Sequence, residues 1–286
     1  MVKGDDGVYG VTYIWDAAQT NAVLAPQAGV DEAVVVYNPD GSELRTQIWH
    51  YPSQSECRTC HNHSAGFALG FSTPQLNCDQ AYSGSITNQL LALSAAGYLN
   101  TNLTSVAEFR TLYAATDKTR SLYDRSRSYF QGNCYSCHHP GSLLVTSSAW
   151  DARVHVPLSE ANIVDNSVIT PNNPTASVLL QRISDKNLRR MPPIASSQQN
   201  HDGIALIRDW ILSFPTAPWA YTNIGSSQRE GSSAITGQEF QVAGSGRAPS
   251  PARDALHFLS RPLTGNGHVV AQLIAQQSTG PEARAG

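Results

Sequence analysis

Two short runs of cysteine and histidine stand out for their chemistry: Cys57-Arg58-Thr59-Cys60-His61 and Cys134-Tyr135-Ser136-Cys137-His138. Each has the C-x-x-C-H spacing, in which two thiols can form thioether bonds to one haem and the histidine can ligate its iron. The sequence therefore predicts two covalently bound c-type haems. The predicted haem-binding residues are Cys57, Cys60 and His61 at the first motif, and Cys134, Cys137 and His138 at the second.

The alternative for the four motif cysteines is a zinc site. Zinc-binding pairs of this kind usually lie about 15–20 residues apart. Cys60 and Cys134 are separated by several times that distance, and each pair is followed directly by a histidine. The spacing favours haem, with His61 and His138 as axial ligands.

Met191 is the candidate distal ligand of the second haem. Apart from Met1 it is the only methionine, and it stands between Arg190 and the pair Pro192-Pro193. A thioether is a soft ligand that suits haem iron, and His/Met ligation raises the reduction potential. The alternative is that Met191 only fills space in the core.

The distal ligand of the first haem is left open by the sequence. No methionine occurs between the first motif and Met191. His50 is the nearest candidate, whereas His63 is too close to His61 to reach the opposite haem face. His155, and a five-coordinate or water-ligated iron, are the other possibilities.

Composition indicates a globular protein of two or three domains. The chain has 286 residues, of which 41% are hydrophobic and 14% charged, and a net charge of −3. This balance does not favour nucleic acid or an anionic membrane as a partner. No apolar run of about 18 residues predicts a membrane span.

Covalent haem attachment implies a periplasmic or secreted protein, although no signal peptide opens the sequence. We therefore expect the native N-terminus to lie outside this chain. The fifth cysteine, Cys78, is expected to be a buried apolar thiol.

Patterning predicts a mainly α fold with a β-rich N-terminal region. Strands are expected within residues 8–51, with a turn at Asn38–Gly41. Helices are expected at Ser85–Leu99, Val106–Ala115, Ser121–Gly132, Thr175–Ile183 and Gly203–Phe214. Short strands are expected in the tail at Glu239–Val242, Ala255–Leu259 and His268–Ala275. The predicted units are a first haem-binding domain (1–118), a second (119–217) and a truncated β segment (218–286).

The second unit resembles a class I cytochrome c domain, in which a helix precedes the haem motif and a methionine loop and a closing helix follow it. The resemblance implies that Cys134 and Cys137 hold the haem and that His138 and Met191 are its axial ligands. We expect Phe130 and Trp210 to meet where the two helices cross.

Residues 8–214 resemble a bacterial dihaem cytochrome family whose function is not established. The matching segments are Val8–Tyr13, Trp49–Ser53, Leu69–Phe71, Gln75–Asn77, both motifs and Arg190–Pro193. Some members follow a domain similar to glucose/sorbosone dehydrogenases, which implies that the haems accept electrons from a fused dehydrogenase domain. The tail, from Ile224 onward, resembles the start of a concanavalin-like β-sandwich, which implies possible carbohydrate binding.

The sequence thus predicts a dihaem electron-transfer module that passes electrons to a redox partner protein, rather than a catalyst on its own. A dihaem peroxidase that uses an open first haem is the first alternative. A carbohydrate-binding module is the second.

Overall fold

The computed structural model describes residues 1–82, 84–142, 150–164, 168–187, 189–194, 196–225, 230–245 and 255–277. It is a mixed structure with 20% helix and 24% strand, so the prediction of a mainly α fold is wrong. The strands of the described ranges are β1 (Val2–Gly4), β2 (Gly7–Tyr9), β3 (Tyr13–Trp15), β4 (Ala22–Leu24), β5 (Val30–Tyr37), β6 (Glu43–Tyr51), β7 (Asp79–Tyr82), β8 (Ser85–Asn88), β9 (Ala220–Ile224), β10 (Ser232–Thr236), β11 (Glu239–Ala243) and β12 (Leu256–Ser260).

The strands form six small antiparallel sheets of two strands each in the described residues, scattered along the chain. The pairs are β1–β2, β3–β4, β5–β6, β7–β8, β10–β11 and β9–β12. The longest is the predicted hairpin β5–β6. Its turn closes with the amide of Gly41 bonded to the carbonyl of Asn38 at 2.9 Å, and Gly41 adopts the positive φ of 84° that such a turn requires.

Six helices complete the described secondary structure. They are α1 (Gln54–Cys60), α2 (Thr73–Leu76), α3 (Gln89–Ala95), α4 (Leu122–Asn133), α5 (Val178–Ser184) and α6 (His201–Ser213). None of the helices in the described ranges is long and apolar enough to cross a bilayer. The helices predicted at Ser121–Gly132, Thr175–Ile183 and Gly203–Phe214 are present close to their expected places, as α4, α5 and α6.

Two predicted helices and one predicted strand differ in the structure. Residues 85–88 pair as β8 with β7 before α3 begins. Residues 106–115 form no helix, because the side-chain amide of Asn77 binds the carbonyls of Phe109 and Arg110 at 3.0 and 3.2 Å. A backbone carbonyl that already accepts a hydrogen bond from a side chain competes less well for the hydrogen bond that a helix would form. Residues 268–275 have no regular structure.

Helices α4 and α6 cross each other and carry the main hydrophobic core. The rings of Phe130 and Trp210 meet edge to face with centroids 5.6 Å apart, so the predicted contact at the crossing is confirmed. The helices come close because Gly203 lies against Tyr129, where an added Cβ would be 2.4 Å from a ring carbon.

Apolar burial is very uneven between the two motif regions. The core of buried residues consists of side chains between Phe130 and Phe214. Within the described part of residues 1–118, only Ala25 and Leu90 are buried hydrophobic residues. Large apolar side chains there stay exposed, among them Trp15 at 62% and Phe71 at 73%. The first motif region thus lacks an apolar core of its own.

Candidate haem-binding sites

The first motif lies on a short helix whose start is fixed by a capping box. The Ser53 side chain accepts from the amide of Glu56, and the Glu56 carboxylate accepts from the amide of Ser53 at 2.9 Å. Cys57 and Cys60 follow on α1 three residues apart, which puts both thiols on one side of the helix. His61 ends the helix, with its amide bonded to the carbonyl of Cys57 at 2.9 Å. The two candidate attachment thiols and the candidate ligand His61 therefore come from adjoining turns of the chain.

The His61 ring is oriented for ligation by the loop that follows it. Its Nδ1 lies 2.6 Å from the carbonyl oxygen of Phe67. Since a carbonyl only accepts hydrogen bonds, Nδ1 carries a proton, and Nε2 is the ring nitrogen available to a metal. This is the arrangement that metal-ligating histidines use to fix their tautomer.

His50 engages two carboxylates in the structure. Its Nδ1 is 2.6 Å from Asp31 and its Nε2 is 3.0 Å from Glu56. The hydrogen bonds to Glu56 and Asp31 raise the pKa of His50 above its usual value. The bond to His50, with those from Ser53, lowers the pKa of Glu56 to about 2. His50 thus ties β6 to the start of α1, and ligation of iron by its ring would require breaking both contacts.

Gly10 keeps open the space beside Cys57, the first candidate attachment thiol. A Cβ at Gly10 would lie 2.6 Å from Cβ and 2.7 Å from Sγ of Cys57. Real Cβ atoms do not approach that closely, so any larger residue here would displace Cys57.

The second motif follows directly from α4. Cys134 is the C-cap of the helix, and the amide of His138 bonds back to the carbonyl of Cys134 at 2.8 Å. The His138 ring stacks on Trp150 with centroids 4.5 Å apart. Burial, with the nearby charge of Arg182, lowers the pKa of His138 to about 4. At neutral pH the imidazole is therefore uncharged, as a metal ligand must be.

Burial also raises the pKa of the Cys134 thiol to about 12, since the charged form is disfavoured away from water. Cys134 packs against the hydrophobic core, whereas Cys137 faces the first motif. The two thiols of the second motif therefore stand in different surroundings.

Met191 is anchored to α5. Its amide donates to the carbonyl of Arg182 at 2.9 Å, and the Arg182 side chain bonds in turn to the carbonyl of Arg189. Arg182 is also the residue whose charge acts on His138. The methionine loop is thus attached to an element that lies near the second motif histidine.

The two motifs touch each other. The Cys137 sulfur lies 3.9 Å from the carbonyl oxygen of Thr59. Interaction with the Cys137 side chain raises the pKa of Cys60, and the same interaction lowers the pKa of Cys137. Residues from separate parts of the sequence therefore place one thiol of each motif close to the other motif.

The donor set fits haem better than zinc. All five cysteines are free thiols. Despite the contact between Cys60 and Cys137, no group of three or more His, Cys, Asp or Glu residues converges on one point within the described ranges, as a tetrahedral zinc site would need. Each motif instead keeps two thiols and one neutral or tautomer-fixed histidine together. The sparse core around the first motif also suits a large flat apolar group bound there.

Several residues at these sites carry no signal in the sequence. Phe67, Trp150 and Arg182 act on the motif histidines through a backbone carbonyl, a ring face and a charge, and each depends on tertiary folding. Gly10 lies within the run Val8–Trp15, which the sequence predicts as a strand, and only the structure shows its contact with Cys57. Among the remaining histidines, the ring of His139 lies near the carbonyl of Pro140 at 2.9 Å, and His201 opens α6.

Cys78 is only partly buried. Its sulfur lies 3.5 Å from the carbonyl of Gln75 and 3.7 Å from the side-chain oxygen of Gln89. The fifth cysteine therefore takes part in a polar loop rather than an apolar core.

Comparisons with protein-family models, with curated proteins and with solved structures found no match to this chain. The resemblance to bacterial dihaem cytochromes thus stays a prediction that rests on the residues named above.

Proposed function

We propose that this chain is a dihaem c-type cytochrome module that transfers electrons, located in the periplasm or secreted. The observation that carries the proposal is the contact between the two C-x-x-C-H motifs, at Thr59 and Cys60 on one side and Cys137 on the other. Electron tunnelling slows steeply with distance, so adjoining attachment sites favour direct transfer between two bound groups. When bound, each haem would supply a reversible one-electron iron couple.

The residues of the chain have distinct roles in this proposal. Four thiols, from Cys57, Cys60, Cys134 and Cys137, hold the groups covalently. His61 and His138 are the proposed iron ligands, with the His61 ring oriented by Phe67 and the His138 ring packed on Trp150. Met191 is the proposed distal ligand at the second site.

The two sites differ, which favours transfer in one direction. The second is attached to a buried core, and a thioether ligand there would raise its potential. The first is framed by small hairpins and exposed aromatic residues. Greater exposure to water stabilises the more highly charged ferric state, so the first site is the proposed entry point for electrons and the second the higher-potential acceptor.

Rapid one-electron reduction tests the proposal. The protein loaded with both haems is given less than one equivalent of a small-molecule radical reductant, and the absorbance of both haems is followed. Transfer within the chain predicts a fast phase whose rate does not depend on protein concentration. If all phases scale with protein or reductant concentration, the two sites do not exchange electrons internally.

A dihaem peroxidase is a second candidate, favoured by one observation. Both ring nitrogens of His50 engage carboxylates, which removes the nearest candidate for the sixth ligand of the first haem. Hydrogen peroxide mixed with the half-reduced protein distinguishes the candidates. Sustained peroxide consumption with an electron donor supports the enzyme, and its absence leaves electron transfer alone.

A further inference from the structure

A serine, a histidine and an asparagine meet between the small sheets of the tail, outside both haem motifs. The Ser233 hydroxyl on β10 lies 2.7 Å from Nε2 of His257 on β12. Nδ1 of the same ring lies 2.6 Å from the side-chain oxygen of Asn223 on β9. A nucleophile, a base and a group that orients the base are thus joined in series.

The contacts of Asn223 determine which atoms donate and which accept in this series of hydrogen bonds. The Asn223 amide nitrogen donates to Glu230 at 3.0 Å, and its oxygen accepts from the amide of Gly231 at 3.2 Å. The oxygen of Asn223 therefore faces His257 and accepts the proton on Nδ1. Nε2 is left with a lone pair that accepts from the Ser233 hydroxyl, as a general base would.

The imidazole is held firmly in this position. His257 and Asn223 are direct partners across the β9–β12 pair. The Gly231 backbone presses on the ring so closely that an added Cβ would lie 2.2 Å from Cβ and 2.7 Å from Nδ1 of His257. Burial also lowers the pKa of His257, which keeps the ring neutral at physiological pH.

Glu230, the partner of Asn223, is held in turn by backbone amides at residues 158 and 159, which follow the second motif in the sequence. The Glu230 carboxylate accepts the backbone amides of Leu158 and, at 3.4 Å, of Ser159. Its negative charge raises the pKa of His257 against the larger effect of burial. That charge would stabilise an imidazolium formed when the ring takes up a proton.

We propose that Ser233 is a nucleophile for small acyl esters, with His257 as its base and Asn223 as a positioning residue. In the first step the hydroxyl proton passes to Nε2 of His257, and Oγ bonds to the carbonyl carbon of the ester. The bond from that carbon to the leaving oxygen then breaks, and the leaving oxygen takes the proton from His257. Water attacks the acyl-serine by the same route and releases a carboxylic acid.

The surroundings of Ser233 limit the substrate to short acyl groups. Ser233 and His257 are both partly exposed, so a substrate reaches them from the solvent side. The cavity beside β10, which Ser233 lines together with Trp210, Ser213 and Gln241, has room only for water. Acetyl esters are therefore the proposed substrates, because the water-sized cavity beside Ser233 cannot hold a long acyl chain.

A fluorophosphonate probe and an aryl acetate test the proposal on the whole haem-loaded chain. The expected result is that peptide mapping finds the phosphonate on Ser233. Ser233→Ala and His257→Gln should lower both labelling and ester hydrolysis by about 100-fold or more, the range of general-base catalysis. No labelling of the wild-type chain above that of the heat-unfolded chain overturns the proposal.

Two further variants separate activation from folding. Ser232→Ala removes a hydroxyl from the neighbouring position, which lines the water-sized cavity, and should keep full labelling. Gly231→Ala leaves the three side chains intact but displaces the imidazole, and should lose labelling while the haem spectrum stays unchanged. Equal labelling in Gly231→Ala and wild type overturns the role of His257. Equal loss in Ser232→Ala and Ser233→Ala overturns the role of Ser233 as the nucleophile.

Discussion

The Cys137 sulfur lies 3.9 Å from the carbonyl oxygen of Thr59, although the two residues belong to separate C-x-x-C-H motifs. Thr59 lies in α1, and Cys137 follows α4 by a single turn. The neighbouring Cys60 interacts with Cys137 as well, which raises the pKa of Cys60 and lowers that of Cys137. Two motifs that the sequence presents independently thus adjoin each other.

Replacement of Met191 should change only one of two redox transitions. Met191→Ala removes the proposed thioether ligand, which stabilises the ferrous state, so the potential of one haem should fall. Potentiometric titration followed by visible absorbance measures both transitions. The transition of the first haem serves as the internal control. Two unchanged potentials would show that Met191 is not a ligand.

Gly10→Ala should impair haem attachment at the first motif. The added methyl group would collide with Cys57, and the thiol would move away from its position on α1. The expected product carries one haem in place of two, measured by intact mass spectrometry. Gly132→Ala is the control, because a Cβ at Gly132 meets nothing within 4 Å apart from its chain neighbours and the local helix backbone. Full attachment in Gly10→Ala would contradict the role of this contact.

Gly203→Ala should weaken the crossing of α4 and α6. The new Cβ would lie 2.4 Å from the Tyr129 ring, and overpacking of this kind costs about 1–3 kcal/mol. Denaturant unfolding of the haem-loaded chain measures the loss. Gly132→Ala, in the open space on α4, should instead be neutral or stabilising by about 0.5–1 kcal/mol. Equal stability of the two variants would argue against close packing at Gly203.

His50 should stabilise the fold in a pH-dependent way. Its pKa is raised in the folded state, so its contribution is present below the ordinary value of 6.5 and is lost as pH rises through the folded pKa. Because the side chains are well exposed, the contribution should stay below about 1 kcal/mol. The free energy of unfolding of wild type minus that of His50→Gln should therefore shrink from about pH 5 to about pH 9.

The control for His50 is His201→Gln, which removes an exposed histidine from the start of α6. A difference for His50→Gln that grows with pH would contradict the bridge to Asp31 and Glu56. The absorption spectrum of the same variant tests ligation. An unchanged first-haem spectrum supports the bridge, and a shift to high-spin iron supports His50 as the distal ligand.

Local signals predicted some elements well. The turn at Asn38–Gly41 correctly indicated the β5–β6 hairpin, and apolar spacing located α4 and α6 and the contact between Phe130 and Trp210. These features depend on residues close in sequence or on a helix face. The fold class failed because short segments such as residues 85–88 and 106–115 have helix-like spacing, but β7 and Asn77 compete for their backbone groups.

At the candidate site, too, features that are local in sequence could be predicted, and contacts between distant residues could not. Spacing alone identifies the motif cysteines and histidines, since one turn of chain carries them. The contact between Cys60 and Cys137, the orientation of His61 by Phe67 and the series from Asn223 to Ser233 join distant residues. No periodicity or motif in a single sequence encodes such contacts.

Counting the covalent haems tests the central claim most directly. The chain is produced with the machinery that attaches haem to c-type cytochromes, and its intact mass and pyridine haemochrome spectrum are measured. We predict two thioether-linked haems for the wild-type chain, one for Cys57→Ala/Cys60→Ala and one for Cys134→Ala/Cys137→Ala. A wild-type chain that carries no covalent haem, or that keeps the same count in both double variants, would contradict the account.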